Sequence, residues 1–160
     1  MPTLIDHRDP DTAERIHSVL QAGYAVEAAL IGVAEFPPLR RTAMDIRYSP
    51  NRFAGSRHAG VLAGVIEFRV GRAPAIDIAS LAVHPDFARR GIGSQLVQWV
   101  LDRASSRAGT VSTAEANLPA IALYERLGFV RERRFTTREG IVCTALRRRG
   151  TPKRDREGVG

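Results

Sequence analysis

The first part of the chain carries the hydrophobic spacing of helices. Apolar residues over 13–20 recur every three or four positions, which is the spacing of one helical face. Asp9-Pro10 forms a helix start, because Asp caps free amides and Pro fits the first helical position. Gly23 is placed to end this helix, and we predict a second short helix over 24–31, closed by Gly32.

A shorter period of about two residues dominates the middle of the chain and predicts strands. The paired prolines of 36–39 predict an irregular connector, and 71–74 predicts a turn between two strands that run antiparallel. The strands predicted in this half are 4–8, an interrupted strand over 45–48 and 52–55, 60–70, and 76–83.

Helical and strand patterns alternate in the second half. The predicted elements there are helix 93–106, strand 110–114, helix 118–127, and strands 129–136 and 141–146. The complete order is β-α-α-β-β-β-α-β-α-β-β. This order predicts a mixed α/β domain in which helices flank one central twisted sheet.

The junction between strand 76–83 and the following helix predicts an anion site. His84-Pro85-Asp86 ends the strand, and Gly91 and Gly93 open the helix, where they let the backbone approach a ligand closely. Free amides of a first helical turn favour an anion, so we predict phosphate or pyrophosphate held by backbone groups. The stretch is neither a Walker loop nor a dinucleotide fingerprint, since it lacks Gly-Lys-Ser/Thr and a third glycine.

The same stretch resembles motif A of the GNAT superfamily, the acyl-coenzyme A-dependent N-acyltransferases. Gly91 and Gly93 match the two small positions of the motif, whereas Ala88 stands where Gln or Arg is usual. This departure puts side-chain recognition at position 88 in doubt. The resemblance implies that these residues hold the cofactor's pyrophosphate: Arg89, Arg90, Gly91, Ile92, Gly93 and Ser94.

A second block, 117–129, resembles motif B of the same family, Asn-x-x-Ala-x-x-Leu-Tyr-x-x-x-Gly-Phe. The resemblance covers roughly 76–129 and implies that strands 76–83 and 110–114 splay apart, with acetyl-CoA between them. It further implies that Tyr124 contacts the cofactor and protonates the leaving thiolate. The remaining implied cofactor contacts are Asn117, which is also a candidate helix cap, and the backbone of Leu81, Ala82 and Val83.

The general base is open on sequence grounds. Asp77 lies on the strand where several family members carry a base, and Glu67 comes close to it across the predicted turn. Glu115 is a third candidate, and a water chain without a dedicated base is a fourth possibility. Cys143 is interpreted as a small buried hydrophobic residue rather than a nucleophile, because no His lies near it in the sequence.

Length and charge bound the remaining picture. The chain has 160 residues and a net charge of +7, of which residues 147–160 carry +4. We predict one domain over 1–146, followed by a basic, disordered tail. The tail lacks interleaved aromatic residues, so a solvated tail is favoured over a nucleic-acid partner. No apolar stretch predicts a membrane span, no His/Cys cluster predicts a metal, and one cysteine suits the cytoplasm.

These observations together predict an N-acetyltransferase that moves an acetyl group from acetyl-CoA directly to a primary amine. The acceptor is a small molecule or a peptide or protein, and the family is compatible with a homodimer. Two alternatives stay open. One is a catalytically inactive acyl-CoA-binding regulatory protein, and the other is a nucleic-acid-associated module that acts through the basic tail.

Overall fold

One seven-stranded sheet organises the part of the chain that the computed structural model describes, residues 1–71, 75–104 and 106–151. The strand order is β1-β2-β3-β4-β5-β7-β6. Only the β4–β5 pair is parallel among these neighbours, so the sheet is mixed, as predicted. The strands are β1 (Thr3–Ile5), β2 (Arg52–His58), β3 (Val61–Val70), β4 (Ala75–Val83), β5 (Ala108–Ala114), β6 (Val130–Thr136) and β7 (Val142–Arg148).

Four α-helices pack on this sheet: α1 (Pro10–Ile31), α2 (Ala43–Arg47), α3 (Ile92–Leu101) and α4 (Leu118–Arg126). The observed elements follow the order β-α-α-β-β-β-α-β-α-β-β, but the first two predicted helices are one continuous helix, α1, and the second helix of the order is α2, which was not predicted. Gly23 lies inside α1 and does not end it. A Cβ at Gly23 would lie only 2.7 Å from the Cβ of Ala82. This glycine lets α1 pack closely against β4, and the helix ends at Gly32 with φ of 73°.

The segment between α1 and β2 departs from the prediction. Residues 45–48 do not form a strand; residues 45–47 fall within α2, which ends at Arg47. Thr42 and Asp45 form a reciprocal capping box, with the Asp45 amide donating to Thr42 Oγ1 over 3.1 Å. The predicted irregular connector also contains a 3-10 helix over Pro37–Arg40. Pro at the first helical positions is compatible with such a turn, because the amide it lacks would have had no partner.

Three further predictions differ at their edges. Helix α3 ends at Leu101 rather than at position 106, and β7 continues to Arg148. Arg147 and Arg148 therefore belong to the sheet and not to a tail, since both pair with β5. The rest of the predicted tail from 152 onward, and most of the predicted turn at 72–74, lie outside the described residues.

Apolar side chains cover both faces of the sheet. Phe53 and Ala54 are consecutive in β2 and belong to different buried clusters, because successive strand residues point to opposite faces. One cluster, which includes Leu96 of α3, joins the sheet to α3 and α4. The other, which includes Ile16 of α1, joins it to α1 and α2.

The centre of the sheet opens between β4 and β5. The two strands pair from Ala75↔Ala108 to Ile78↔Val111, and the register of the described residues gives no pairs beyond this point. β4 carries a bulge there, because Ile78 faces Phe68 and Ser80 faces Glu67, which leaves Ala79 as the extra residue. A bulge bends its strand and strengthens its twist, so it fits the place where the strands diverge.

Candidate active site

The loop after β4 brings backbone amides together at the start of α3. His84 Nδ1 accepts from the Asp86 amide at 3.2 Å, and Pro85–Phe87 forms a short 3-10 helix. Arg89 and Gly91 both have left-handed backbones, with φ of 63° and 72°. The turn delivers the chain into α3, whose first described helical bond runs from Gln95 to Gly91. The amides of Ile92, Gly93 and Ser94 therefore have no partner within the helix.

The two glycines of this loop have different structural roles. A Cβ at Gly91 would meet no atom within 4 Å, so the backbone there is open to a ligand. A Cβ at Gly93 would lie 3.1 Å from Leu123 Cδ1 and 3.7 Å from Val83 Cγ2. Gly93 thus allows α3 to pack against α4, and only Gly91 fits the expectation of an open approach.

The two arginines of the loop are exposed. Arg90 donates to His58 Nε2 at 2.6 Å, and its guanidinium lies 5.6 Å from the ring centre of Phe87. No such contact holds Arg89 among the described residues. The loop therefore presents two cations beside the free amides of α3.

A cavity of about 380 Å³ fills the opening between β4 and β5. Its walls come from both diverging strands, from α1 and α4, from the connector after α1, and from the segment that joins β6 to β7. The lining residues are Tyr24, Glu27, Phe36, Pro37, Pro38, Ile78, Ala79, Ser80, Leu81, Val111, Ser112, Thr113, Ala114, Asn117, Ala120, Tyr124, Phe135, Thr137, Glu139, Ile141 and Cys143.

Three of the residues predicted from the second motif and from β4 lie in this cavity: Leu81, Asn117 and Tyr124. Ala82 and Val83 are not among its lining residues. Ala82 is buried under α1, and β4 continues through Val83 into the amide-rich loop. The structure thus brings the cavity and the anion loop to the same end of one strand.

Tyr124 is the acid that the sequence predicts, and its surroundings suit a proton donor. Only 4% of the residue is exposed, and its ring packs edge-on against Phe129 at 5.5 Å. No hydrogen bond engages its hydroxyl among the described residues. Burial, and secondarily the charge of Glu27, raises the pKa of the Tyr124 phenol well above its ordinary value. The phenol is therefore protonated at neutral pH.

Asn117 caps α4, as predicted for it. Its Oδ1 accepts from the Ala120 amide at 3.3 Å and caps α4. The residue also lines the cavity.

The predicted bases do not lie in the cavity. Asp77 sits at the closed end of the strand pair, where its carboxylate accepts from Arg69 at 2.9 Å and from Thr110 at 2.8 Å. Glu115 pairs with Arg134 at 2.7 Å outside the cavity. The expectation that one of these carboxylates faces the acceptor is not supported, because each is occupied by an arginine elsewhere.

Glu67, the other predicted base, is buried in a polar cluster beneath α1. Its carboxylate accepts from Arg41 at 2.7 and 2.9 Å, from Ser49 at 2.8 Å and from Asn51 at 3.1 Å. Burial opposes ionisation of this carboxyl, but the bonds from Arg41, then Ser49, outweigh it and lower its pKa. A carboxylate so fully paired is a structural anion and a poor base.

Glu27 is an ionisable residue of the cavity wall that sequence reasoning missed. It lies on α1, half-buried, one turn after Tyr24 and two turns after the buried Leu20. Burial raises the pKa of its carboxyl, with the Asn117 side chain acting in the opposite direction. The signal was present, because positions 20, 24 and 27 share one face of a continuous helix. Splitting the helix at Gly23 concealed it.

Cys143 also differs from its interpretation. It is half-buried on β7 and lines the cavity instead of filling the core. Burial, and then the charge of Glu27, raises the pKa of its thiol. The residue is therefore a neutral thiol on the cavity wall.

No group of three or more His, Cys, Asp or Glu side chains among the described residues is arranged to hold a metal ion. None of the helices in the described part of the chain has the length and apolarity to cross a membrane.

A family model described as the acetyltransferase (GNAT) family matches residues 17–129. The chain therefore belongs to the GNAT family of acetyltransferases, and the predicted resemblance is confirmed. The members of this family are acetyltransferases that use acetyl-CoA.

Two named relatives match large parts of the chain, and one of them is named as an acetyltransferase. The chain is 34% identical over 147 residues to UPF0157 protein YqkA of Bacillus subtilis, covering 91% of this chain and 43% of that protein. It is 32% identical over 104 residues to N-alpha-acetyltransferase RimI of Mycobacterium tuberculosis, covering 61% of this chain and 66% of that protein. The matched region thus spans less than half of the first relative and just under two thirds of the second.

The fold has close counterparts among solved structures. The crystal structure of PaiA N-acetyltransferase from Thermoplasma acidophilum, in complex with coenzyme A, aligns with a TM-score of 0.72 at 13% identity. The alignment covers 93% of this chain and 99% of that one. The predicted fold class is confirmed by this similarity.

Proposed function

We propose that this chain transfers an acetyl group from acetyl-CoA directly to a primary amine in the cavity between β4 and β5. The observation that carries the proposal is the placement of this cavity. It contains the buried phenol of Tyr124 and lies on the strand that leads into the free amides of α3. A thioester bound in the cavity would leave its pyrophosphate within reach of those amides.

The anion end of the proposed site uses mainly backbone groups. The amides of Ile92, Gly93 and Ser94 would donate to the pyrophosphate, and the dipole of α3 favours its charge. Arg89 and Arg90 would add charge in place of the Gln or Arg that Ala88 lacks. The open backbone at Gly91 supports close approach, since nothing occupies the space beside it.

The transfer needs no covalent enzyme intermediate. A neutral amine attacks the thioester carbonyl carbon, and the backbone amide of Val83, at the end of β4 two residues beyond the cavity-lining Leu81, would stabilise the oxyanion that forms. When the carbon–sulfur bond breaks, the Tyr124 hydroxyl gives its proton to the thiolate and regains one from the new ammonium nitrogen. The Tyr124 phenol is protonated at neutral pH and lies in the cavity, so it has a proton to donate there.

The acceptor is an amine of a small molecule or of a peptide. The relative from Mycobacterium tuberculosis is named an N-alpha-acetyltransferase, which supports a peptide amino terminus as one candidate class. The non-catalytic alternative is not favoured, because the chain keeps the motif tyrosine in a cavity of substrate size.

The experiment that tests this proposal is coenzyme A thiol release from acetyl-CoA, measured against primary amines and amino-terminal peptides. We expect release that depends on an amine. Tyr124→Phe should lower kcat by about 10- to 100-fold, because it removes the proton donor, and leave coenzyme A affinity by calorimetry unchanged.

Tyr48→Phe is the matched control for this variant, because Tyr48 is 76% exposed and distant from the cavity lining. It should leave both readouts as they are. Equal kcat in Tyr124→Phe and the parent chain would remove Tyr124 from the mechanism.

A further inference from the structure

Glu27 is a carboxylate in the cavity wall that no cation neutralises within the described part of the chain. The ion pairs found there join other residues, although the chain contains 24 Lys and Arg. Its hydrogen-bond partner is the neutral side chain of Asn117. A partly desolvated carboxylate without an ion pair costs stability, and such groups concentrate at functional sites. Its position on the cavity wall makes it accessible to a ligand.

The charges around Glu27 come from several elements, and all of the fully charged ones are negative. The ionisable residues that share the cavity are Tyr24 of α1, Tyr124 of α4, Glu139 before β7, and Cys143 of β7. No Lys, Arg or His is among the described residues that line it. Arg41 lies near Tyr24 but is bound to Glu67. A protein of charge +7 thus encloses an acidic cavity.

The remainder of the wall is largely apolar. Phe36, Pro37 and Pro38 close one side, and Phe135 and Ile141 close another. Such walls bury an uncharged group well and a second charge poorly.

We propose that Glu27 receives the ammonium group of the acceptor and takes its proton, so that the acceptor is a primary ammonium on an uncharged, largely apolar group. This inference rests on the proposed function. It excludes acceptors that carry a carboxylate beside the amine, because that carboxylate would face Glu27 and Glu139 without a cation to pair with.

Each proton that the acceptor ammonium loses has a defined receiver in this arrangement. The acceptor R–NH₃⁺ gives one proton to Glu27 and becomes a neutral nucleophile. Its nitrogen bonds to the acetyl carbon, the carbon–sulfur bond breaks, and the second proton reaches the sulfur through Tyr124. Glu27 then releases its proton to water, so the products are the amide, coenzyme A as thiol, and one proton. The raised pKa of Glu27 supports this exchange, because a stronger carboxylate base shares protons more readily with an amine.

The experiment compares phenylalanine amide with phenylalanine, two amines that differ by an amide in place of a carboxylate. We expect the parent chain to acetylate the amide at least about tenfold more efficiently in kcat/KM. Glu27→Gln should lower kcat/KM for the amide by about 100-fold or more and narrow the preference between the two acceptors. Protonation of Glu27 should lower the activity of the parent chain at low pH, and this decrease should be absent in the variant. The affinity for coenzyme A, measured by calorimetry, should stay unchanged.

Glu14→Gln is the matched control, since Glu14 lies on the same helix, is exposed and is remote from the cavity. It should behave like the parent chain. Thiol release with full activity in Glu27→Gln, or a parent preference for phenylalanine over its amide, would overturn the inference and leave the proposed function standing. If none of the primary amines tested supported thiol release, the proposed function would be overturned and this inference with it.

Discussion

Glu67 and Glu27 lie on elements that pack together, and the pKa values of their carboxyl groups are shifted in opposite directions. Glu67, 2% exposed, receives hydrogen bonds from Arg41, Ser49 and Asn51, and its pKa is lowered. Glu27 is half-buried at the cavity, and its pKa is raised. Burial opposes ionisation in both, so partners decide the direction.

The comparison separates a structural carboxylate from a reactive one. The cluster around Glu67 ties the connector after α1 to β3, because Arg41 and Ser49 come from that connector region and Glu67 from the strand. Glu27 has no ion pair among the described residues, and its side-chain hydrogen-bond partner is the neutral Asn117. A base must be free to exchange its proton, and Glu67 lacks that freedom.

The largest expected effect comes from removing the cation that pairs with Glu67, which leaves Glu67 without an ion pair, like Glu27. Arg41→Met keeps the length of the side chain but removes the cation, leaving a buried charge with only neutral partners. We expect a loss of about 3–5 kcal/mol in the free energy of unfolding. Urea denaturation measures this loss.

Arg69→Met supplies the contrast, because the Arg69–Asp77 pair is exposed, at 66% and 37% of the two side chains. Its loss should cost less than about 1 kcal/mol. Similar destabilisation by the two variants would show that the Glu67 cluster is not the structural ion pair described above.

A smaller effect is expected at the cofactor end, which involves neither carboxylate. Ser94→Glu adds a negative charge at the third position of α3, where it favours the helix but opposes a bound pyrophosphate. Coenzyme A affinity should fall about tenfold or more, as a close like charge acts at the protein surface. Calorimetry measures this fall.

Gln98→Glu adds the same charge one turn further along α3 and serves as the control. Its affinity for coenzyme A should remain near that of the parent chain. An unchanged affinity in Ser94→Glu would move the anion site away from the amides of α3.

The smallest expected effect concerns the stability cost of Glu27. Its pKa is higher in the folded chain than in the unfolded one, so the folded chain binds the proton more tightly. The stability associated with that proton is complete in acid and is lost as the pH rises through the folded value. Glu27→Gln should therefore raise the melting temperature by a few degrees at neutral pH, with little change in acid. A lower melting temperature of the variant at neutral pH would contradict the absence of an ion pair at Glu27.

The sequence predicts the architecture better than the chemistry of the acceptor side. The motif blocks put Gly91 at the start of α3, Asn117 at the start of α4 and Tyr124 within α4, where the structure has them, because local sequence determines where these helices begin. The identity of the base depends on which side chains α1 turns toward β4. That packing follows from Gly23, whose role in close contact cannot be told from a helix end without the partner strand.

Residues 45–47 show the same limit at shorter range. Their alternation predicts a strand, yet the capping box of Thr42 and Asp45 starts a helix. Glu67 is a plausible base as a sequence position, and the ion pair with Arg41, 26 positions away, argues against that role. Long-range partners of this kind are not encoded in local spacing.

The most direct measurement is an NMR titration of the glutamate side-chain carboxyls in the full chain, with Glu27→Gln and Glu67→Gln used to assign the two signals. We predict that Glu27 takes up its proton at a pH above the ordinary value of a glutamate, whereas Glu67 does so below it. Titration of Glu27 at or below the ordinary value would contradict the account, because the cavity carboxylate would then be paired and unsuited to accept the proton of an amine.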